Sequence, residues 1–98
     1  MAIIPSHMHW DHASGLEDFK GVPVWVQKNS YEEAMSGKPP GFVISQYDDP
    51  ALAWHDLSLT DGPYENFEHS LDLFKDGRVV LVDLSGHTAG QLGMFINL

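Results

Sequence analysis

The segment LDLFKDGRVVLVDL, residues 71–84, restricts the fold of this chain more than any other stretch of its sequence. Two apolar runs flank a Lys-Asp-Gly turn, which is the pattern of a β-hairpin. The second run, Val79 to Leu84, is broken only by Asp83. A nearly continuous apolar run is typical of a strand that is covered on both faces. The sequence therefore predicts a sheet with other parts of the chain packed against both sides.

Three further stretches predict strands. VPVWV, residues 22–26, is rich in β-branched and aromatic side chains. QLGMFINL, residues 91–98, resumes an apolar pattern after a glycine-containing break, and AIIP, residues 2–5, is typical of the end of a strand. Because the chain begins and ends inside strand patterns, we expect it to be the portion of a larger fold.

Two stretches predict helical structure. Ser30 and Glu33 have the spacing of a capping box, and a glycine follows at a suitable stop, so a short helix is expected over residues 30–36. Further on, Asp49 as the N-cap and Pro50 at the first helical position favour a helical turn.

The composition excludes several classes of protein. The 98 residues suit one small domain, and a net charge of −9 with only five basic residues disfavours nucleic acid as a partner. Apolar runs stay well below the roughly 20 residues of a membrane span, so no membrane partner is expected. Cysteine is absent, which excludes disulfides and thiolate ligands. With no visible signal peptide, we expect a cytoplasmic location.

The stretch SHMHWDHASG, residues 6–15, holds three of the six histidines. On an extended segment, His7 and His9 point the same way and Met8 points away. Asp11 and the histidine after it follow a turn, so they can address a second point nearby. Imidazole and carboxylate are common metal ligands, and a catalytic zinc site takes three protein ligands and leaves one position for water. His7 and His9 therefore predict a metal site that needs a third ligand from elsewhere.

His87, in LSGHTAG, is the candidate for that third ligand. It follows the best strand pattern of the sequence, and Gly86 and Gly90 permit a sharp loop there. Functional side chains favour loops that are held at strand ends.

These two motifs resemble those of a known family. HMHWDH has the form HxHxDH, and SGHTAG resembles the GHTxG segment that follows it in the metallo-β-lactamase superfamily. The resemblance implies an α/β (α+β) fold: part of the αββα sandwich, with a mixed sheet and short helices. Residues 1–98 are then expected to form a single partial domain of this kind.

The resemblance also implies roles for particular residues. His7, His9 and His87 are expected to bind a first metal ion, and Asp11 and His12 a second. In the family, a later aspartate bridges the two ions and a further histidine completes the second site, but neither follows His87 in this sequence. Asp83 is a poor substitute because it is expected within a strand. The first ligand set is therefore complete and the second is not.

The expected chemistry is metal-dependent hydrolysis. Water on such a metal has a pKa near ~7, so hydroxide is available to attack an ester, lactone or thioester. Asp11 would orient the hydroxide and carry a proton to the leaving group. Thr88 is expected either to form a hydrogen bond near His87 or to be an exposed loop residue. Zinc is the default ion, with iron and manganese as alternatives.

The motif context favours a small-molecule substrate. Residues 6–16 and the GHTAG segment look most like those of lactonase-type hydrolases, and glyoxalase-II-like thioester hydrolysis fits nearly as well. Trp10, Trp54 and Tyr64 would line an apolar pocket for an acyl chain, although single aromatic residues more often pack in a core.

An alternative interpretation is a truncated, non-catalytic module that binds one metal ion or none and associates through an open sheet. Exposed strand edges and apolar sheet faces favour pairing with another copy, so a homo-oligomer is expected under both interpretations. The residues outside the motifs are interpreted as structural or exposed, namely His55, His69 and the acidic pairs Asp48/Asp49 and Glu32/Glu33.

Overall fold

The computed structural model describes residues 1–97, which form short helices in the first half and mostly strands in the second. The helices are α1 (Trp10–Ala13) and α2 (Lys28–Ser36), and 3₁₀ turns lie at Leu16–Phe19 and Ile44–Gln46. The strands are β1 (Pro23–Val26), β2 (Ala53–Asp56), β3 (Ser70–Asp72), β4 (Val79–Asp83) and β5 (Leu92–Ile96). The expected α/β class is confirmed.

The first sheet is parallel and lies in the N-terminal half. β1 pairs with β2, with Val24 opposite Trp54. Ile3 adds a parallel bridge to the other side of β1, where its N–H donates to the carbonyl of Pro23 at 2.8 Å and its carbonyl accepts from Trp25 at 2.9 Å. The predicted strand at 22–26 is confirmed, and the strand-like start of the chain lies beside it.

The second sheet is an antiparallel meander in the order β3-β4-β5. The predicted hairpin is confirmed, with Leu71 opposite Leu81, and Leu81 in turn opposite Met94 of β5. Val80, Leu81 and Val82 are each no more than 2% exposed. Three successive buried residues point to alternate faces, so β4 is covered on both sides as its sequence predicts. The expected extension of β5 to position 98 lies outside the described residues.

Two hydrophobic clusters support these sheets. The larger one packs α2 and the 3₁₀ turns against β1, and Tyr47 at its centre donates its hydroxyl to the carbonyl of Ala34. The smaller one is formed by Leu57, Leu81 and Leu92. The buried strands thus provide the frame from which loops project.

The helix expected over residues 30–36 is confirmed as α2, but its expected start is wrong. Helix α2 begins at Lys28, and Ser30 is a buried residue inside it, so Ser30 and Glu33 form no capping box. Asp49 accepts the N–H of Ala51 at 2.8 Å through its side chain, as the expected N-cap does, and its carbonyl accepts the N–H of Leu52 at 3.0 Å. This single turn leads into β2 and does not extend into a helix. The capping-box pattern rests on local spacing alone, whereas packing against other parts of the chain decides where α2 begins.

No helix within residues 1–97 is long and apolar enough to cross a membrane. The longest, α2, has nine residues.

Candidate metal centre

The HMH segment lies beside the start of the last strand. The carbonyl of Ser6 accepts the N–H of Leu92 at 2.8 Å, which fixes the segment against β5. Met8 is buried in the larger core cluster, so the histidines on either side of it turn the other way. His7 is only 7% exposed, and its Nδ1 lies 3.1 Å from the hydroxyl of Ser6.

Helix α1 turns the chain directly after His9. The carbonyl of His9 accepts the N–H groups of His12 at 2.9 Å and Ala13 at 3.0 Å. This turn returns the ring of His12 to within 4.0 Å of the ring of His7, measured between centroids. A carboxylate oxygen of Asp11 lies 3.6 Å from Nε2 of His12, and both side chains are exposed.

His87 lies in the loop between β4 and β5, at residues 84–91. The base of this loop is closed by the N–H of Leu84, which donates to the carbonyl of Gln91 at 2.7 Å. Inside it, the N–H of Gly90 donates to the hydroxyl of Ser85 at 2.9 Å. This closed loop carries the exposed His87, whose ring lies beside those of His7 and His9.

His7, His9 and His87 converge on one point. Each offers one ring nitrogen, and the three nitrogens lie within 4.8 Å of one another. The ring centroids are 5.1 Å apart for His7 and His9, 5.2 Å for His7 and His87, and 4.6 Å for His9 and His87. Nitrogens bound tetrahedrally to one zinc ion lie about 3.4 Å apart. Small side-chain rotations bring the three imidazoles to that spacing, so this donor set fits one metal ion.

The surroundings of His7 favour its neutral imidazole. Burial lowers the pKa of His7, and the neighbouring rings of His12, His9 and His87 lower it further, against an opposing effect of Asp11. Metal binding requires the neutral form of histidine. The lowered pKa of His7 therefore favours the form that binds a metal.

The loop at residues 37–43, between α2 and the second 3₁₀ turn, supports His9. The sequence did not reveal this support. The Phe42 ring packs edge-on against the His9 ring at 4.8 Å. A Cβ at Gly41 would lie 3.4 Å from Nε2 of His9, and the carbonyl of Gly41 accepts the N–H of Trp10 at 2.9 Å. Nothing in the local sequence indicated these contacts, because the two segments are far apart along the chain.

Helix α2 holds the loop that carries His87, and this too was not expected. Glu33 accepts the N–H of Ala89 through its side chain. Gln27, which caps the same helix, donates its side-chain amide to the carbonyl of Gly90 and to Asp83, each at 3.2 Å. The expectation that Glu33 belongs to a solvated acidic pair is therefore wrong, whereas its neighbour Glu32 is exposed.

Thr88 is 4% exposed, so its interpretation as an exposed loop residue is wrong. Its hydroxyl is buried without a hydrogen-bond partner within residues 1–97, so the expected hydrogen bond near His87 is not formed there. Asp83, at the end of β4, accepts the hydroxyl of Ser85 at 2.6 Å and is engaged in holding the loop.

The three aromatic residues that were considered for an acyl pocket lie in different surroundings. Trp10 is half exposed on α1, and Trp54 packs with the larger core cluster. Tyr64 packs against Phe95 at 5.2 Å. The two histidines outside the motifs are exposed, as expected. His55 also stacks on a tryptophan, whereas His69 does not take part in a ring contact among the described residues.

Curated relatives match nearly the whole length of this chain. The N-acyl homoserine lactonase AttM of Rhizobium radiobacter is 26% identical over 99 residues, which cover 98% of this chain and 35% of that protein. The N-acyl homoserine lactonase AiiA of Bacillus thuringiensis subsp. kurstaki is 30% identical over 95 residues, which cover 96% of this chain and 32% of that protein. The chain thus spans about a third of the length of the relatives it matches.

Solved structures agree with the sequence relatives. A variant of Bacillus thuringiensis AiiA with N-decanoyl-L-homoserine bound at its active site is 30% identical, with a TM-score of 0.67. An N-acyl homoserine lactone hydrolase with the product N-hexanoyl-L-homoserine at its catalytic metal centre is 29% identical, with a TM-score of 0.67. In both, the match covers 97% of this chain and 32% of the other.

The family model agrees with both kinds of relative. The model of the metallo-beta-lactamase superfamily matches residues 1–97, a stretch that contains the two histidine motifs and the sheets that hold them. The chain belongs to the metallo-beta-lactamase superfamily.

Proposed function

We propose that residues 1–98 form a single partial domain that carries the metal-binding core of a lactone hydrolase. The observation that carries this proposal is the convergence of His7, His9 and His87 from opposite ends of the chain. The names of the relatives suggest N-acyl homoserine lactones as the substrate class. Thioesters are the alternative class, since the same attack on a carbonyl carbon serves both.

The three histidines are proposed to hold one ion, with zinc as the default and iron or manganese as alternatives. When bound, the ion supplies an activated water for attack on the lactone carbonyl. The contact between Nδ1 of His7 and Ser6 leaves Nε2 of His7 for the ion and fixes the ring orientation. Thr88, buried next to His87 in the sequence, is proposed to support that residue from within the loop.

Asp11 and His12 are proposed to serve the other side of the same site. Asp11 is exposed in the first turn of α1, where its carboxylate would accept a proton from the attacking water and then pass that proton to the alkoxide oxygen that leaves as the lactone opens. Both residues are also candidates for a second ion. No aspartate, glutamate or histidine follows His87 in this sequence, so we expect them to bind a second ion weakly on their own.

The first test measures bound zinc per chain by elemental analysis in the wild type, His87→Ala and His69→Ala. We expect about one equivalent in the wild type and in His69→Ala, because His69 is exposed and lies outside the cluster. His87→Ala should lose most of its zinc because two ligands remain. Equal zinc in the two variants would contradict the three-histidine site.

The same proteins are then assayed for ring opening of N-hexanoyl homoserine lactone and for cleavage of an acyl thioester. We expect lactone opening that requires zinc and is lost in His87→Ala. Zinc binding without turnover of either substrate would overturn the hydrolase proposal for this chain and leave the metal site intact.

The second candidate function is a non-catalytic metal-binding module that self-associates. One observation favours it: β5 is an edge strand of the described sheet, and its Met94 and Ile96 are 51% and 62% exposed. In addition, an apolar cavity of about 780 Å³ opens beside Trp25, Leu71 and Phe74. Apolar surface of this kind is typical of interfaces between copies.

A further inference from the structure

Helix α2 and the His87 loop touch through polar groups as well as packing. The two residues that make these contacts, Gln27 and Glu33, lie one at the N-cap of α2 and the other on its second turn. They bind backbone groups of Gly90 and Ala89, which follow His87 by three and two residues. The contact thus joins a rigid element to the part of the loop nearest the proposed ligand.

Glu33 binds the backbone of the loop through a charged group. Its carboxylate accepts the N–H of Ala89, and a hydrogen bond to a charged acceptor is roughly twice as strong as one between neutral groups. Glu33 is partly buried, whereas Glu32 beside it is exposed and lies 3.9 Å from Lys28. The two neighbouring carboxylates therefore have different roles.

Gly90 shows how closely the loop lies on the helix. Its φ is +69°, a conformation that favours glycine, and a Cβ at this position would lie 2.9 Å from the backbone nitrogen of Ser30. The loop backbone is therefore in direct contact with the first turn of α2. Glu33, which binds the adjacent amide of Ala89, consequently acts on a short segment whose backbone is already constrained at Gly90.

We propose that Glu33 is a positioning residue for His87. By holding the amide of Ala89, it fixes the loop so that the His87 imidazole meets His7 and His9. The proposal rests on the proposed metal function, because the consequence of this positioning is metal affinity. Without this anchor, the exposed His87 samples other orientations, and each encounter with a metal ion must order the loop again.

The test compares Glu33→Ala, Glu33→Gln and the matched control Glu32→Ala. Zinc affinity is measured by competition with a chromophoric chelator. Loss of a group that orients a ligand typically costs 10–100-fold in metal affinity, and we expect Glu33→Ala to lose about tenfold because the contact acts through the backbone. Glu33→Gln keeps an acceptor oxygen and should recover most of the affinity. Glu32→Ala removes the same charge from the same helix and should match the wild type.

A second measurement needs no metal. Hydrogen exchange of the Ala89 amide is followed by NMR in the metal-free proteins, together with the His87 ring resonances. We expect faster exchange and shifted resonances in Glu33→Ala only. Circular dichroism confirms that each variant is folded.

The outcomes separate the two proposals. If the wild type binds zinc and Glu33→Ala binds it equally well, positioning by Glu33 is overturned and the metal function stands. An equal loss of affinity in Glu32→Ala also overturns it, because a general charge effect would then explain the result. If the wild type binds no zinc, the metal function fails, and an unchanged Ala89 amide in Glu33→Ala would overturn the positioning role as well.

Discussion

At the residue scale, the cluster combines histidines in different environments. His7 is buried and its pKa is lowered by that burial and by the neighbouring rings, whereas His87 is exposed on its loop. His9 lies between these extremes and is supported by Phe42. In the proposed metal site, His7 would be a buried ligand and His87 an exposed one, so one face of the histidine cluster is open to solvent.

One prediction at this scale concerns pH. Lys75 lies 2.9 Å from Asp61, and its ammonium group, together with the N–H of Asp72, lowers the pKa of Asp61. A lowered folded pKa contributes stability above the unfolded pKa, and this contribution is lost as the pH falls through the folded value. In Lys75→Met, we expect the Asp61 pKa to rise towards its ordinary value, measured by NMR titration of the carboxyl carbon.

Lys28→Met is the control for this experiment, because Lys28 pairs with Glu32 on α2. It should leave the Asp61 titration unchanged. An Asp61 pKa that is the same in Lys75→Met and in the wild type would show that the ion pair does not form in solution.

At the scale of elements, β4 is the strand on which the site depends. It is buried on both faces, it pairs with β3 and β5, and the His87 loop begins where it ends. Helix α2 is the second support, since it packs on the core through Ala34 and anchors the loop through Glu33. The His87 loop contains two glycines, which favour flexibility, but β4 and α2 hold it from both sides.

The prediction at this scale compares two residues that face each other in the sheet. Leu81 is buried and Met94, its register partner on β5, is half exposed. We expect Leu81→Ala to lower the free energy of unfolding by about 2–5 kcal/mol, because it leaves a cavity in the core. Met94→Ala should change it by less than about 0.5 kcal/mol. Urea denaturation followed by circular dichroism measures both, and equal effects would contradict the burial of β4.

At the scale of the whole molecule, an acidic chain also exposes apolar groups. The net charge of −9 keeps much of the surface acidic, while the edge of β5 and the cavity beside Trp25 expose apolar groups. Such a surface favours association of copies along the sheet edge over association through charged faces.

We therefore predict a homo-oligomer that Ile96→Lys weakens. Sedimentation equilibrium should give a mass above that of one chain for the wild type, and a shift towards the monomer for Ile96→Lys, because a charge on an edge strand opposes pairing. Ser45→Lys, an exposed position on a 3₁₀ turn, introduces the same charge elsewhere and should leave the mass unchanged. A wild type that is monomeric at all concentrations would contradict this prediction.

Local pattern was sufficient to predict much of this molecule. The hairpin, the double burial of β4, the strand at β1 and the two histidine motifs follow from apolar periodicity and from residue types with distinctive chemistry. These features depend on side chains within a few positions of one another, where spacing along the chain translates directly into direction.

Other features depended on contacts between distant segments. The strand β2 has a half-polar sequence and exists because β1 offers a pairing partner, and the start of α2 was set by packing and not by a capping box. Glu33 reads as a solvated helix residue until the fold brings Ala89 to it. The sequence alone determined which residues are able to bind a metal ion. Tertiary structure decided which of them meet and what holds them there, because only the folded chain brings its two ends together.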